Sequence, residues 1–382
     1  MSQAEKKLIF LVTEDWYFWS HRLPMARAAR DAGFAVAVAT RVQAHGDRIR
    51  AEGFALHPLR WRREQLGPFA SLAAIAEVYR LYRRERPLIV HHVAQKAALL
   101  GGVAALLARV PAVVSIIAGV GYVGTSASRH ARIIGGLARL LWPLLLLRRH
   151  CRVIVQNDDD RRGIAALKPA AGARVVVIPG SGIDLDYFQP IAEPPTPPVV
   201  AAYVGRMIAI KGVADLVAAQ QIVQRDGTDL RLVLAGRPDP ANPSTLDEAT
   251  LRDWASRKGV TWLGHVEDVR RVWTQAHIAA LASHGGEGLP KTLLEAAAAG
   301  RAIVATDVPG TRDIARDGLN AILVPAADVT ALAAALKALA IDESRRRHLA
   351  EAGRTLVETG FSDAAIGAAT VAVYRDLLAA LG

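Results

Sequence analysis

Residues 183–205 read IDLDYFQPIAEPPTPPVVAAYVG, and this stretch decides how the chain is divided. Four prolines fall within positions 194–198. Proline lacks an amide N–H and fixes φ, so such a run builds neither a helix nor a central strand. The apolar run Val199–Val204 follows at once and ends at Gly205. A linker that runs into a fresh strand marks a domain boundary, and we place it at 190/191.

Working outward, further apolar runs occupy 7–12, 34–39, 88–93, 111–118 and 152–156. A second series occupies 175–178, 199–204, 230–235, 260–263, 278–282, 302–305 and 321–324. Ala/Leu/Arg-rich stretches long enough for helices separate most of them. Continuous apolar strands alternating with helices indicate parallel sheets covered on both faces. There are too many strands for one compact sheet. The predicted fold class is therefore α/β, with two Rossmann-like doubly wound domains: 1–190 and 191–360. Residues 361–382 have helical apolar spacing and are expected to form a terminal helix packing back on the first domain.

The chain has 382 residues, 52% of them apolar, which suffices for two cores. Its single cysteine, Cys151, excludes an internal disulfide and fits a reducing compartment. The apolar run near the N-terminus is too short for a signal-peptide core and reads as a buried first strand. Net charge is +11, but residues 1–190 carry 27 Lys+Arg against 14 Asp+Glu, and residues 191–382 carry 20 against 22. A basic first half suits an anionic partner: nucleic acid, a phosphorylated substrate or an anionic membrane. No basic recognition helix or base-stacking motif supports nucleic acid. The segment 133–147 is apolar with flanking arginines but is shorter than the roughly 20 residues a spanning helix needs. It reads as a helix with one face on a membrane surface.

The chemistry concentrates after 199. Gly205 lets the backbone turn beside a ligand, and Arg206 and Lys211 follow at the carboxyl edge of the sheet, where open α/β domains bind ligands. Both cations suit a diphosphate. Farther on, 283–295 reads SHGGEGLPKTLLE. Gly285, Gly286 and Gly288 make a loop, and Pro290 suits the first turn of a helix. The helix start offers N–H groups to a phosphate. Glu287 precedes that helix and Glu295 lies within it, so two acids can touch different parts of an extended ligand.

These segments resemble the family 4 glycosyltransferases of the GT-B fold. The resemblance rests on Gly205-Arg206 with Lys211-Gly212, Trp262-Leu-Gly-His-Val-Glu-Asp268, the acid pair 287 and 295, the run 296–306 and Pro309-Gly-Thr311. It implies two domains facing across a cleft. It also implies a nucleotide-sugar donor whose diphosphate is gripped by Arg206 and Lys211. Glu287 would hold sugar hydroxyls and Glu295 the ribose. Gly286 belongs to this loop, backbone N–H groups at Gly288 and Leu289 would help with the phosphate, and Val266 would lie near the base. The resemblance implies retention of anomeric configuration with no metal and no cofactor.

In the first domain, Thr13 to Arg27 places an aromatic loop with His21 and Arg22 after the first strand, where the family commonly has two glycines. That resembles the subset that builds polyprenyl-diphosphate-linked capsule or O-antigen oligosaccharides. It implies a lipid-linked sugar acceptor and a position on the cytoplasmic face of the inner membrane. His21, Arg22, His92, Gly119 and Gly121 are the acceptor-side candidates, with His91 beside His92 at a strand end. A histidine common in relatives just after the strand matching 111–117 is replaced near Ala118. The run 119–124, GVGYVG, also matches a dinucleotide fingerprint, which would make the chain a nicotinamide oxidoreductase. It follows a late strand, however, and no ribose-binding acid comes about 20 residues on.

Overall fold

The computed structural model describes residues 6–62, 67–117, 148–167, 172–240 and 242–381. These form two compact units, one of residues 1–182 with 363–382 and the other of 183–362.

The first unit is built on seven strands: β1 Lys7–Glu14, β2 Ala35–Arg41, β3 Ala55–Pro58, β4 Ile89–Val93, β5 Ala112–Ile117, β6 Cys151–Val155 and β7 Val175–Val177. They pair parallel in the order β3-β2-β1-β4-β5-β6-β7. The strand period of two divides β1 between faces. Leu8, Phe10 and Val12 enter one core, and Ile9 and Leu11 enter the core on the other side. The helix Asp363–Ala379 adds Ile366, Val371, Tyr374 and Leu377 to the first of these cores.

The second unit holds β8 Val199–Val204, β9 Leu230–Ala235, β10 Val260–Gly264, β11 Ile278–Leu281, β12 Ala302–Thr306 and β13 Ala321–Val324. The order is β10-β9-β8-β11-β12-β13, again parallel. Every residue of β11 and β12 is buried, which explains why both read as uninterrupted apolar runs.

Three expectations shift. The chain crosses between units at 182/183 rather than 190/191, because Ile183 and Phe188 are buried in the second core. The proline run does not hang free. Arg301 donates to the carbonyls of Ile191 and Ala192, and Arg346 pairs with Glu193 at 3.0 Å, strapping the run to the second unit. Residues 175–177 lie inside the expected first domain, 1–190, and extend the first sheet. Finally, β3 was not anticipated. It is a four-residue edge strand without a fully buried residue, so it leaves no apolar run.

Candidate functional site

In each sheet the strand order reverses once, between β1 and β4 and between β8 and β11. Neighbouring strands there send their following loops in opposite directions, which opens a crevice at the carboxyl ends. In the second unit this brings together two loops far apart in sequence.

The loop after β8 is closely fitted. Tyr203 is fully buried, and its hydroxyl donates to the Arg206 carbonyl at 2.7 Å. A Cβ at Gly205 would lie 2.8 Å from that hydroxyl. The chain then makes a 3-10 turn, Ala209–Lys211, and Gly212 takes φ +66° at the start of helix Val213–Arg225. A Cβ on Gly212 would lie 1.9 Å from the Ala282 carbonyl oxygen. Glycine is therefore required twice over, by the left-handed φ and by the approach of the β11 loop.

The loop after β11 meets it. The His284 N–H donates to the Ile210 carbonyl at 2.8 Å, and the His284 ring lies 2.6 Å from Asp215. Thr306 Oγ1 donates to the Ser283 carbonyl at 2.5 Å. Gly285 and Gly286 adopt φ +132° and +71°. Gly310 packs so closely beneath that a Cβ there would lie 1.9 Å from the Gly288 carbonyl oxygen. The result is that Lys211 Nζ donates to both oxygens of Glu287, at 2.5 and 2.7 Å. Glu287 is 7% exposed and Lys211 19%. Arg206 is 43% exposed and pairs with Asp239 at 2.7 Å.

Glu295 lies on helix Lys291–Ala298, which Pro290 immediately precedes. Burial raises its pKa to about 7, with Lys291 pulling the other way. Leu289 is nearly buried beside the helix start. Val266 is half-buried against the second core. It follows β10, whose Trp262 donates to the Gly236 carbonyl at 2.8 Å. The loop after β10 carries an ordered cluster. The Arg270 guanidinium sits 3.7 Å over the Tyr187 ring, and its hydrogen bonds hold Asp268 down at a pKa of about 2.

The structure thus brings Lys211 and Glu287 into direct contact and sets Gly205, Arg206, Gly286, Gly288 and Leu289 on the two loops that carry them. Sequence reasoning missed Asp239, the Arg206 partner, and the Asp215–His284 contact. The only signal for Asp239 is its place just after β9, the strand beside β8. Two buried hydroxyls, Thr292 Oγ1 and Thr311 Oγ1, gave no signal in the sequence, and neither has a hydrogen-bond partner among the described residues.

The first-unit candidates are differently placed. His91 and His92 are fully buried on opposite faces of β4 rather than at an accessible strand end. His91 Nδ1 lies 2.5 Å from the Tyr374 hydroxyl and His92 Nε2 lies 3.1 Å from that of Tyr82. Burial pushes His92 down to about 3 and His91 well below its usual range, with Arg22 and His92 adding repulsion for the latter. Both rings are neutral core residues, which counts against His92 as an acceptor contact. His21 is half-buried, stacked on Tyr17 and 2.6 Å from Ser20 Oγ. Arg22 is 1% exposed, and among the described residues its guanidinium meets only Met25 Sδ at 3.7 Å and the Tyr17 ring at 5.7 Å. Asp15 Oδ2 accepts from the N–H groups of Gln43, Ala44 and His45, a structural cap. Ala118, Gly119, Gly121 and the apolar segment 133–147 lie outside the described residues.

Comparison with known proteins bears on the family and the fold. Residues 198–342 match the family model "Glycosyl transferases group 1", and residues 7–139 match "Glycosyl transferase 4-like". The chain is 23% identical over 323 residues to the capsular polysaccharide biosynthesis glycosyltransferase CapM of Staphylococcus aureus, covering 81% of this chain and 82% of that one. It is 34% identical over 245 residues to alpha-maltose-1-phosphate synthase of Mycolicibacterium smegmatis, covering 58% and 61%. Among solved structures, the sucrose-phosphate synthase of Thermosynechococcus elongatus superposes with a TM-score of 0.80 at 21% identity, covering 98% of this chain and all of that one. Anabaena HepE, solved in complex with UDP and glucose, gives 0.76 at 16% identity, covering 97% and 100%. With each half matched by its own glycosyltransferase model and the fold shared along nearly the whole length, the chain belongs to the GT-B glycosyltransferases, in the group-1 and 4-like family.

Proposed function

We propose that the protein is a retaining glycosyltransferase. It moves a sugar from a nucleotide-diphosphate donor, a UDP-linked hexose or N-acetylhexosamine, to a membrane-associated polyprenyl-diphosphate-linked glycan in cell-surface polysaccharide synthesis. The observation that carries the donor half is the Lys211–Glu287 pair at the strand reversal. An ammonium has three donors. Two point at Glu287, which leaves one for a phosphate oxygen. Glu287 can then accept from sugar hydroxyls while fixing the lysine. Arg206, the more exposed cation, adds a second contact to the same diphosphate. In the transition state charge collects on the leaving diphosphate, and prepositioned cations stabilise it without the cost of reorganisation. In this reading no metal is needed. Glu295 takes the ribose hydroxyls.

The acceptor half rests on the likeness to CapM, the basic character of the first unit and the aromatic residues Trp16, Tyr17 and Trp19, which the structure places on the helix Asp15–His21 rather than on the expected loop. No helix among the described residues is long and apolar enough to cross a membrane, so the proposal is for peripheral attachment at the inner face. The test is a panel of nucleotide sugars against a polyprenyl-diphosphate-sugar, read by released nucleoside diphosphate, product mass and anomeric proton coupling. We expect one UDP-sugar to dominate, with the anomeric configuration of the donor kept and turnover surviving a chelator. Inverted product, or no turnover with any UDP-sugar, would sink this reading.

A further inference from the structure

The helix Pro68–Glu85 buries Ala74, Val78, Leu81 and Tyr82 in the first unit. Its first turns do the opposite. Phe69 is 86% exposed and Leu72 63%, and Ala73 is exposed beside them. Spacings of three and four place these side chains on one face. A single exposed apolar residue needs no explanation. Two large ones one turn apart form a projecting apolar tip.

A cationic segment packs against the same helix. The segment after β3 carries Arg60 and Arg62, both exposed. Two hydrogen bonds hold it beside the helix bundle: the Arg60 N–H donates to Glu77 Oε1 at 3.0 Å, and Lys96 Nζ donates to the Arg62 carbonyl. Lys96 also sits 6.0 Å over the Trp61 ring. Glu77, the acid that meets this segment among the described residues, is thus already occupied. The wider charge has the same sign. The first unit carries 28 Lys+Arg against 14 Asp+Glu, a balance of +14, and the second carries 19 against 22, a balance of −3. No Asp or Glu occurs between Glu85 and Asp158.

We propose that Phe69 and Leu72, together with Arg60, Arg62 and Lys96 of the segment and helix packed beside that helix, form a docking face for an anionic bilayer. The apolar tip enters the boundary between headgroups and acyl chains, and the cations meet lipid phosphates. A second copy of the chain is a poor occupant, since two faces of a +14 unit repel. The inference rests on the membrane-bound acceptor proposed above, and it names the face that reaches the bilayer.

The experiment is co-sedimentation of the full chain with phosphatidylcholine vesicles, with or without about 30 mol% phosphatidylglycerol, at low and high salt. The wild type should sediment with the anionic vesicles and be released by salt. Phe69→Glu/Leu72→Glu should lower partitioning by roughly tenfold or more, with an unchanged thermal midpoint because both side chains are exposed. Arg60→Glu/Arg62→Glu should lower it and flatten the salt dependence. If the wild type binds anionic vesicles and both double variants bind equally well, this face is wrong while the membrane reading stands. If the wild type stays in solution with every vesicle, the membrane reading falls with it. A wild-type dimer that Phe69→Glu/Leu72→Glu dissociates, without vesicle binding, would reassign the face to self-association.

Discussion

At the strand reversal of the second sheet, Lys211 meets Glu287 and Arg206 meets Asp239, partly open to solvent. In the first unit Arg22, His91 and His92 are buried, and none of the three forms an ion pair among the described residues. The two sheets share parallel pairing and a single reversal, so the backbone plan alone does not set the chemistry. What differs is the close approach of loops. Gly212 against Ala282 and Gly310 against Gly288 press the second unit's loops together until a cation and an acid touch. In the first unit the residue after β4, Ala94, takes a left-handed φ of +71°, and strain of that kind gathers at ligand sites. The ion pair at the carboxyl end of β1, Arg41 with Glu14 at 3.8 Å, joins β1 to β2 and does not span the reversal.

The comparison can be broken most forcefully at Lys211. Lys211→Ala should lower kcat by about 10²–10³, the loss typical of one prepositioned transition-state donor, with a smaller change in donor KM. Single-turnover kinetics at saturating donor would show it; wild-type turnover would remove Lys211 from the chemistry. The next effect is structural. Gly212→Ala combines a forbidden contact with a left-handed φ and should cost about 2–4 kcal/mol in urea unfolding. Donor binding should weaken in parallel, because the same glycine delivers Lys211.

Buried arginines sharpen the contrast further. Arg301 and Arg346 have carbonyl or carboxylate partners, and among the described residues Arg22 has only a thioether and a ring face. Arg301→Met should destabilise by about 2–3 kcal/mol, since it leaves carbonyls without donors. Arg22→Met should be neutral or stabilising by about 1–2 kcal/mol, because it removes an unpaired buried charge. A loss at Arg22 as large as that at Arg301 would mean the two units treat buried charge alike.

The smallest effect is a pH dependence at Glu295. With its pKa near 7 in the folded chain, the carboxylate is charged only above about pH 7. If it accepts from ribose hydroxyls, donor KM should rise as pH falls through 7, at most about tenfold per unit, and Glu295→Gln should flatten that profile. Stability runs the other way. The folded pKa lies above the unfolded value, so the folded state holds the proton more tightly. The group's favourable contribution is present below the unfolded pKa of about 4.3 and lost as pH rises through 7. Glu295→Gln should accordingly raise the melting temperature at pH 8 more than at pH 5.

Much of this was legible from residue order. The glycine-rich loop 285–288, the acid pair 287 and 295 and the cations 206 and 211 were readable because glycine, charge and apolar runs are local signals. The apolar runs located twelve of the strands, since a buried parallel strand has no exposed side to interrupt it. β3 escaped because an edge strand needs no such run. The unit boundary moved by eight residues because Ile183 and Phe188 look like linker residues until the core they enter is known.

The sequence by itself therefore determined the alternation of strands and helices, the break near the prolines and the kinds of charge available for a diphosphate. Only the tertiary structure decided which charges meet. Lys211 and Glu287 are 76 positions apart and touch because β8 lies beside β11. Arg206 finds Asp239 because β9 flanks β8. His92, adjacent in sequence to a promising strand end, faces a core because side chains on a strand alternate and both faces of this sheet are covered. Pairing across a sheet depends on strand order, and strand order is set by how whole layers pack, which no local run of residues encodes.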